Sequence, residues 1–175
     1  SRPLLLSLGL SIEDALASPL GRSGGFSDGR DIGVVCNLPR RDGAIVLPMS
    51  GDVGSQYTTS AGWAQAITYY RDTLKDKSYN GCMSVALGGE ASVATSGFWS
   101  ALTMATTLEL PMLFYIEDNG LGISVPSDMQ TPGGDIAANL ASFGNLFIRD
   151  GDGTDPHDAA RQLKAVVDHV RAGKG

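Results

Sequence analysis

Two short apolar runs at 82–87 and 112–116, bounded by Gly, Pro and charged residues, constrain this chain more than any other feature. The stretch between them, about 95–108, has helical length, so the segment reads strand, helix, strand. A third run, 146–148, follows a short helical candidate at 136–143 and precedes a longer one at 156–170. There Thr154 or Asp155 can cap, Pro156 suits the first turn, and Leu163, Val166, Val167 and Val170 form an apolar stripe. Upstream, Trp63, Ala66, Ile67, Tyr70 and Leu74 fall at spacings of three and four and predict the buried face of a helix over 59–74. Strands alternating with helices predict an α/β fold, a mainly parallel sheet with helices on both faces. Ligands of such sheets bind beyond the carboxyl ends of the strands, which points to the residues after Leu87, after Ile116 and before Thr59.

The 175 residues, 42% of them apolar, suffice for one domain with a single core. Residues 21–43, crowded with Gly, Asp, Arg and Pro, lack periodicity and read as a long loop. Thirteen basic against nineteen acidic residues leave a net charge of −6, which disfavours nucleic acid and anionic membranes as partners. The apolar start of the chain lacks a signal peptide's charged start and cleavage site, and no run reaches membrane-spanning length. Cys36 and Cys82 lie far apart without CxxC spacing, which fits free thiols in a reducing compartment and a cytoplasmic location.

After Leu87 comes GGEAS, small residues that let backbone amides approach an anion ahead of a helix. Such a turn also reads as a tight connection and nothing more. The next crossover adds weight, because parallel neighbours would bring Glu90 and Asn119 to one sheet edge, where two oxygens could converge on magnesium. Asp150, Asp152 and Asp155 form an acidic run without a calcium loop's closing Glu, and read as a solvated turn and cap. His157 and His169 sit at the two ends of the last helix and carry no acid–base assignment. No catalytic residue is assigned from the sequence.

The block GGEASVATSGFWSALTMATTLELPMLFYIEDNGLGISVP resembles, without a gap, the metal-binding pattern of thiamine diphosphate enzymes in the form carried by the alpha subunits of 2-oxo acid dehydrogenases. That pattern opens on Gly-Asp-Gly, includes a Leu-Pro pair before the second strand and closes on a Glu-Asn-Asn-Gly-like turn. SGDVGSQYTTSAGWAQAI is similar to the family's Gly-x-Val-Gly-x-Gln segment, and the likeness continues through the DGTDP turn to the final helix. Glu90 stands where the pattern has Asp, and Ala91 where it has Gly. The resemblance implies a thiamine diphosphate-binding fold. It implies Glu90, Asn119 and the Leu121 carbonyl as Mg2+ ligands, Gly89, Ala91 and Ser92 along the diphosphate, and Gly51 and Val53 at the aminopyrimidine, Val53 as the wedge beneath it.

It further implies the diphosphate- and metal-binding half of an enzyme that decarboxylates pyruvate or branched-chain 2-oxo acids and passes the acyl group to lipoyl. The expected partners are a beta-type subunit or domain, which carries the activating carboxylate, and a lipoyl-bearing acyltransferase. By the same likeness residues 1–175 are one alpha-type domain, a trimmed piece that is inactive alone. Three alternatives stay open: an acetoin dehydrogenase or transketolase-like half, a degenerate assembly module, and a nucleotide-binding oxidoreductase, though no GxGxxG occurs.

Overall fold

The computed structural model describes residues 2–31, 35–39 and 42–174. They fall into two compact units, Ser1–Val53 and Gly54–Gly175. Within the first, α1 (Arg2–Ser7) and α2 (Ile12–Ala17) bury Leu5, Leu10 and Ala15 against Cys36 and Leu38. Ser11 caps α2 by accepting from the Asp14 N–H at 3.0 Å. The glycine-rich loop runs through turns, one of them closed by Asp28 accepting from the Gly24 N–H at 2.9 Å. Residues 32–34, 40 and 41 of the predicted 21–43 loop lie outside the described residues.

In the second unit α3 (Ser55–Thr68) ends in a wider π turn at Tyr69–Thr73. Then β1 (Ser84–Gly89), a 3-10 turn at Glu90–Ala94, α4 (Ser96–Thr107) and β2 (Met112–Glu117) form the predicted crossover. The two strands are parallel and in register from Ser84 opposite Met112 to Gly89 opposite Glu117. Thr95 caps α4, and Leu110 and Pro111 lead into β2. Past β2, β3 (Leu121–Gly122) and β4 (Val125–Pro126) make a small antiparallel hairpin. Two 3-10 turns, α5 (Ile136–Leu140) and α6 (Pro156–Arg171) complete the unit. Asp155 caps α6, accepting from the His157 N–H at 2.9 Å ahead of Pro156 in the first turn.

The core of this unit joins Tyr57, Ala61 and Ala64 of α3 to Phe98, Ala101, Leu102 and Ala105 of α4 and Ala86 of β1. Tyr57 meets Phe98 edge-on at 5.2 Å and stacks on Phe114 of β2 at 5.9 Å, the offset geometries that aromatic quadrupoles favour.

Two expectations are corrected. The buried stripe of α3 is Tyr57, Ser60, Ala61, Ala64 and Ile67, whereas Trp63, Tyr70 and Leu74 are exposed and Ala66 is half-buried. Small side chains let α3 approach α4 closely, and this outweighs the larger apolar stripe beside them. The run at 146–148 lays Leu146 and Ile148 on the core but forms no strand, so the parallel sheet has two strands among the described residues. Asn145, at φ 56°, donates its amide to the Thr106 carbonyl at 3.2 Å and ties this segment to the end of α4. Among the described residues no helix is long and apolar enough to cross a membrane.

Candidate functional site

The carboxyl ends of β1 and β2 set the site. Gly89 and Glu117 are register partners, so Glu90 and Asn119 leave the same sheet edge, one and two residues further on. Two helices start there as well. Gly54, the N-terminal cap of α3, sits at φ 89° with no room for a side chain, because a Cβ would lie 2.2 Å from Thr95 Oγ1. Gly97 lies equally tight against the Gly54 carbonyl, 2.6 Å from where its Cβ would be. The starts of α3 and α4 are therefore in contact, and both bring the positive end of a helix dipole to this edge. Gln56 fixes the arrangement by donating its amide to the Leu87 carbonyl at 3.0 Å.

Glu90 is 4% exposed, and its Oε1 is buried with no hydrogen-bond partner among the described residues. A carboxylate taken out of water without a donor or a cation is costly, so this side chain is shaped for a positive partner. Its neighbours differ in what they leave available. Ser92 donates to the Gly89 carbonyl at 2.5 Å and, having one proton, receives the Tyr57 hydroxyl at 2.5 Å. Its side chain is thus committed within the protein. Burial pushes the Tyr57 phenol up from its usual 10.0, and the bond to Ser92 pulls the other way.

The adjacent glycines separate by the same test. A Cβ on Gly88 would stand 2.0 Å from the Tyr57 hydroxyl, so packing demands glycine there. Gly89 has φ −98° and ψ 171°, open to any residue, and a Cβ would meet only the Glu117 carbonyl at 3.6 Å. Neither backbone nor packing requires glycine at 89.

Asn119 is exposed, and its Oδ1 accepts from the Leu121 N–H at 3.0 Å, while Asp118 accepts from the Gly120 N–H at 2.9 Å. These bonds shape the turn and leave the amide oxygen a second lone pair. The following hairpin folds back on the Glu90–Ala94 turn. A Cβ on Gly122 would lie 2.6 Å from both the Ala91 methyl and the Gln130 amide nitrogen. Glu90, Ala91, Asn119 and Leu121 thus belong to one cluster of turns. Gly51 and Val53 lie in the first unit, both exposed. Among the described residues no three His, Cys, Asp or Glu side chains gather as a metal cage. The acidic 150–155 run is an exposed turn in which Asp152 accepts from the Thr154 N–H and hydroxyl.

The whole chain, residues 1–175, matches the family model described as dehydrogenase E1 component. The chain belongs to that family. It is 28% identical over 173 residues to the pyruvate dehydrogenase E1 component subunit alpha of Zymomonas mobilis, covering 98% of this chain and 45% of that one. It is 26% identical over 172 residues to the testis-specific mitochondrial form of the same subunit from Rattus norvegicus, 98% of this chain and 40% of that one. With the mitochondrial 2-oxoisovalerate dehydrogenase subunit alpha of Caenorhabditis elegans it shares 25% over 167 residues, 94% of this chain and 36% of that one. It spans less than half the length of these curated relatives.

Within this E1 component chain the residues missed in the sequence are the supporting ones: Gln56, Tyr57 and Gly122. Tyr57 carries a usable signal, four residues before Ala61 on the small-residue stripe. Gln56 and Gly122 lie within the motif segments, but the groups they bind or approach are distant in sequence, so their roles there leave no local signal.

Proposed function

We propose that this chain is the diphosphate- and metal-holding half of a thiamine diphosphate-dependent 2-oxo acid dehydrogenase, with residues 1–175 acting as one alpha-type module on a thiamine diphosphate-binding fold. The observation that carries the reading is Glu90, a buried carboxylate with an unpartnered oxygen at an edge where two helices start. A divalent cation satisfies that oxygen, and the helix starts favour the anionic tail the cation would bridge. Asn119 adds an amide oxygen, and the Leu121 carbonyl completes the protein's share, leaving the other positions to phosphate oxygens and water, as Mg2+ prefers. Gly89 fits close approach of a ligand, since its own surroundings would accept a side chain. The backbone of Ala91 and Ser92 continues the cradle.

Glu90 carries one more methylene than the family's Asp, and Ala91 one more methyl than its Gly. In this chain the Ala91 methyl packs against Gly122 and draws the hairpin onto the turn. The two departures thus belong to one packing arrangement.

Bound thiamine diphosphate supplies the nucleophilic carbon and the electron sink for decarboxylation. The chain's part is to hold the tail, neutralise it through the cation and fix its direction. Gly51 and Val53 are assigned to the aminopyrimidine, Val53 as its apolar support. The substrate is pyruvate or a branched-chain 2-oxo acid, the acyl group goes to lipoyl on an acyltransferase component, and a beta-type chain supplies the carboxylate absent from the motifs of this one. Acetoin dehydrogenase and transketolase-like halves share the cradle, and substrate profiling of the assembled enzyme separates them.

Calorimetric titration of thiamine diphosphate into the chain with its beta-type partner tests the reading. Binding that requires Mg2+ and is lost in Glu90→Ala supports it. Metal-independent heat, or none, overturns it and leaves a non-catalytic assembly module.

A further inference from the structure

Among the described residues of the second unit, two side-chain oxygens are buried without a hydrogen-bond partner: Oε1 of Glu90 and Oγ of Ser127. Ser127 is 8% exposed and opens the 3-10 turn that follows β4. Its backbone is fully engaged. The N–H donates to the Gly120 carbonyl at 3.0 Å, and its own carbonyl accepts from the N–H groups of Gln130 at 3.0 Å and Thr131 at 2.7 Å. The hydroxyl alone is unmatched, although a serine hydroxyl offers both a donor and an acceptor. Buried polar groups are nearly always matched, and a methyl in the same place would carry no such cost.

The position of this residue gives the mismatch a meaning. Gly120, which Ser127 holds, lies between Asn119 and Leu121. The strand after that turn lies against Ala91, the neighbour of Glu90, and beside Gln130, whose amide donates to the Val125 carbonyl at 2.8 Å. The two unmatched oxygens therefore belong to residues of the same cluster of turns, Ser127 bonded to Gly120 and Glu90 next to Ala91, which lies against Gly122. One is an acceptor only, suited to a cation. The other can donate, suited to an oxygen that arrives with the cation.

We propose that Ser127 is a positioning residue of the metal–diphosphate site, its hydroxyl making its missing hydrogen bond only when the site is loaded. It then holds the Asn119–Leu121 turn through its backbone bond to Gly120 while Glu90 takes the cation. This rests on the reading of the site given above. Ser127 acts on the ligands through the turn and adds specificity for the loaded state, because in the unloaded chain its hydroxyl contributes nothing to the fold.

The test compares wild type, Ser127→Ala and Ser127→Thr, each as the full chain with its beta-type partner, titrated with thiamine diphosphate at saturating and zero Mg2+. Thermal midpoints are measured without cofactor. The expected result is a dissociation constant raised about tenfold in Ser127→Ala, restored in Ser127→Thr, with the cofactor-free midpoint of Ser127→Ala equal to or above wild type. Hydrogen exchange over 119–131 should slow on loading in wild type and slow less in Ser127→Ala. Wild-type affinity in Ser127→Ala overturns the proposal while leaving the site intact. A loss of affinity matched by a lower cofactor-free midpoint overturns it too, since that marks a purely structural hydroxyl. Failure of wild type to bind removes the functional reading itself.

Discussion

Gly88 and Gly89 are adjacent in the chain and have different reasons to be glycine. Gly88 faces the Tyr57 hydroxyl and Ser92, so Gly88→Ala must push apart a buried hydrogen-bonded pair, an overpacking worth about 1–3 kcal/mol of stability. Gly89→Ala meets no such obstacle. It should unfold at the wild-type urea midpoint yet lose Mg2+-dependent thiamine diphosphate binding, and a variant that keeps both refutes the close-approach role. The Tyr57–Ser92 pair makes a separate prediction about pH. Burial holds the folded Tyr57 phenol above 10.0, so its contribution is complete below that value and is lost as pH rises through the raised folded value. Tyr57→Phe should cost about 1 kcal/mol near neutral pH through the lost bond to Ser92. It should also flatten the decline in urea midpoint between about pH 9 and 11, where unfolded tyrosine ionises. From the sequence, Gly89 was visible as part of a small-residue turn. The distinction from Gly88 was not, because it depends on a tyrosine more than thirty residues upstream in the chain.

At the scale of elements, the crossover from β1 to β2 and the last helix were legible because their signals are local. Asp155, one of the two expected caps, caps α6, Pro156 starts it, and Leu-Pro closes the crossover. The α3 face was misread, because periodicity cannot rank two stripes on one helix and the bulkier residues drew the assignment. Packing against α4 favours Ala61 and Ala64, which are fully buried in one cluster with Phe98, Ala101 and Ala105. Ala64→Leu should therefore destabilise by about 1–3 kcal/mol in urea denaturation. Trp63→Gln, on the exposed stripe, should stay within about 0.5 kcal/mol when the chain is measured alone. Equal effects of the two substitutions would show that the packing of α3 is other than described. The strand expected at 146–148 failed for a related reason. Three apolar residues can serve a core without a ladder, and the Asn145 bond to Thr106 places them by a contact that periodicity does not register.

For the whole molecule, the family could be read from one ungapped block, because the residues proposed to bind the tail and metal cluster along a single crossover and its following turn. The geometry of the cluster could not. Gln56 reaching Leu87, Gly54 against Thr95 and Gly122 against Ala91 join segments whose spacing carries no motif. What the chain lacks is also a matter of scale. Its described residues gather the proposed tail-binding elements at one sheet edge, yet none of its motifs offers the carboxylate that would activate the aminopyrimidine. On the proposed function, holding the cofactor and using it are separated between chains. Two larger apolar residues, Trp63 of α3 and Tyr70 of the π turn that follows it, are exposed, which fits the partner expected on the proposed function. The isolated chain should bind Mg2+ and thiamine diphosphate yet release no carbon dioxide from pyruvate or branched-chain 2-oxo acids, while addition of the beta-type chain restores release. Carbon dioxide evolution assayed with each chain alone and with both together decides the matter. Turnover by this chain alone would mean that the activating group lies within residues 1–175, and the division of labour argued from its motifs would be wrong.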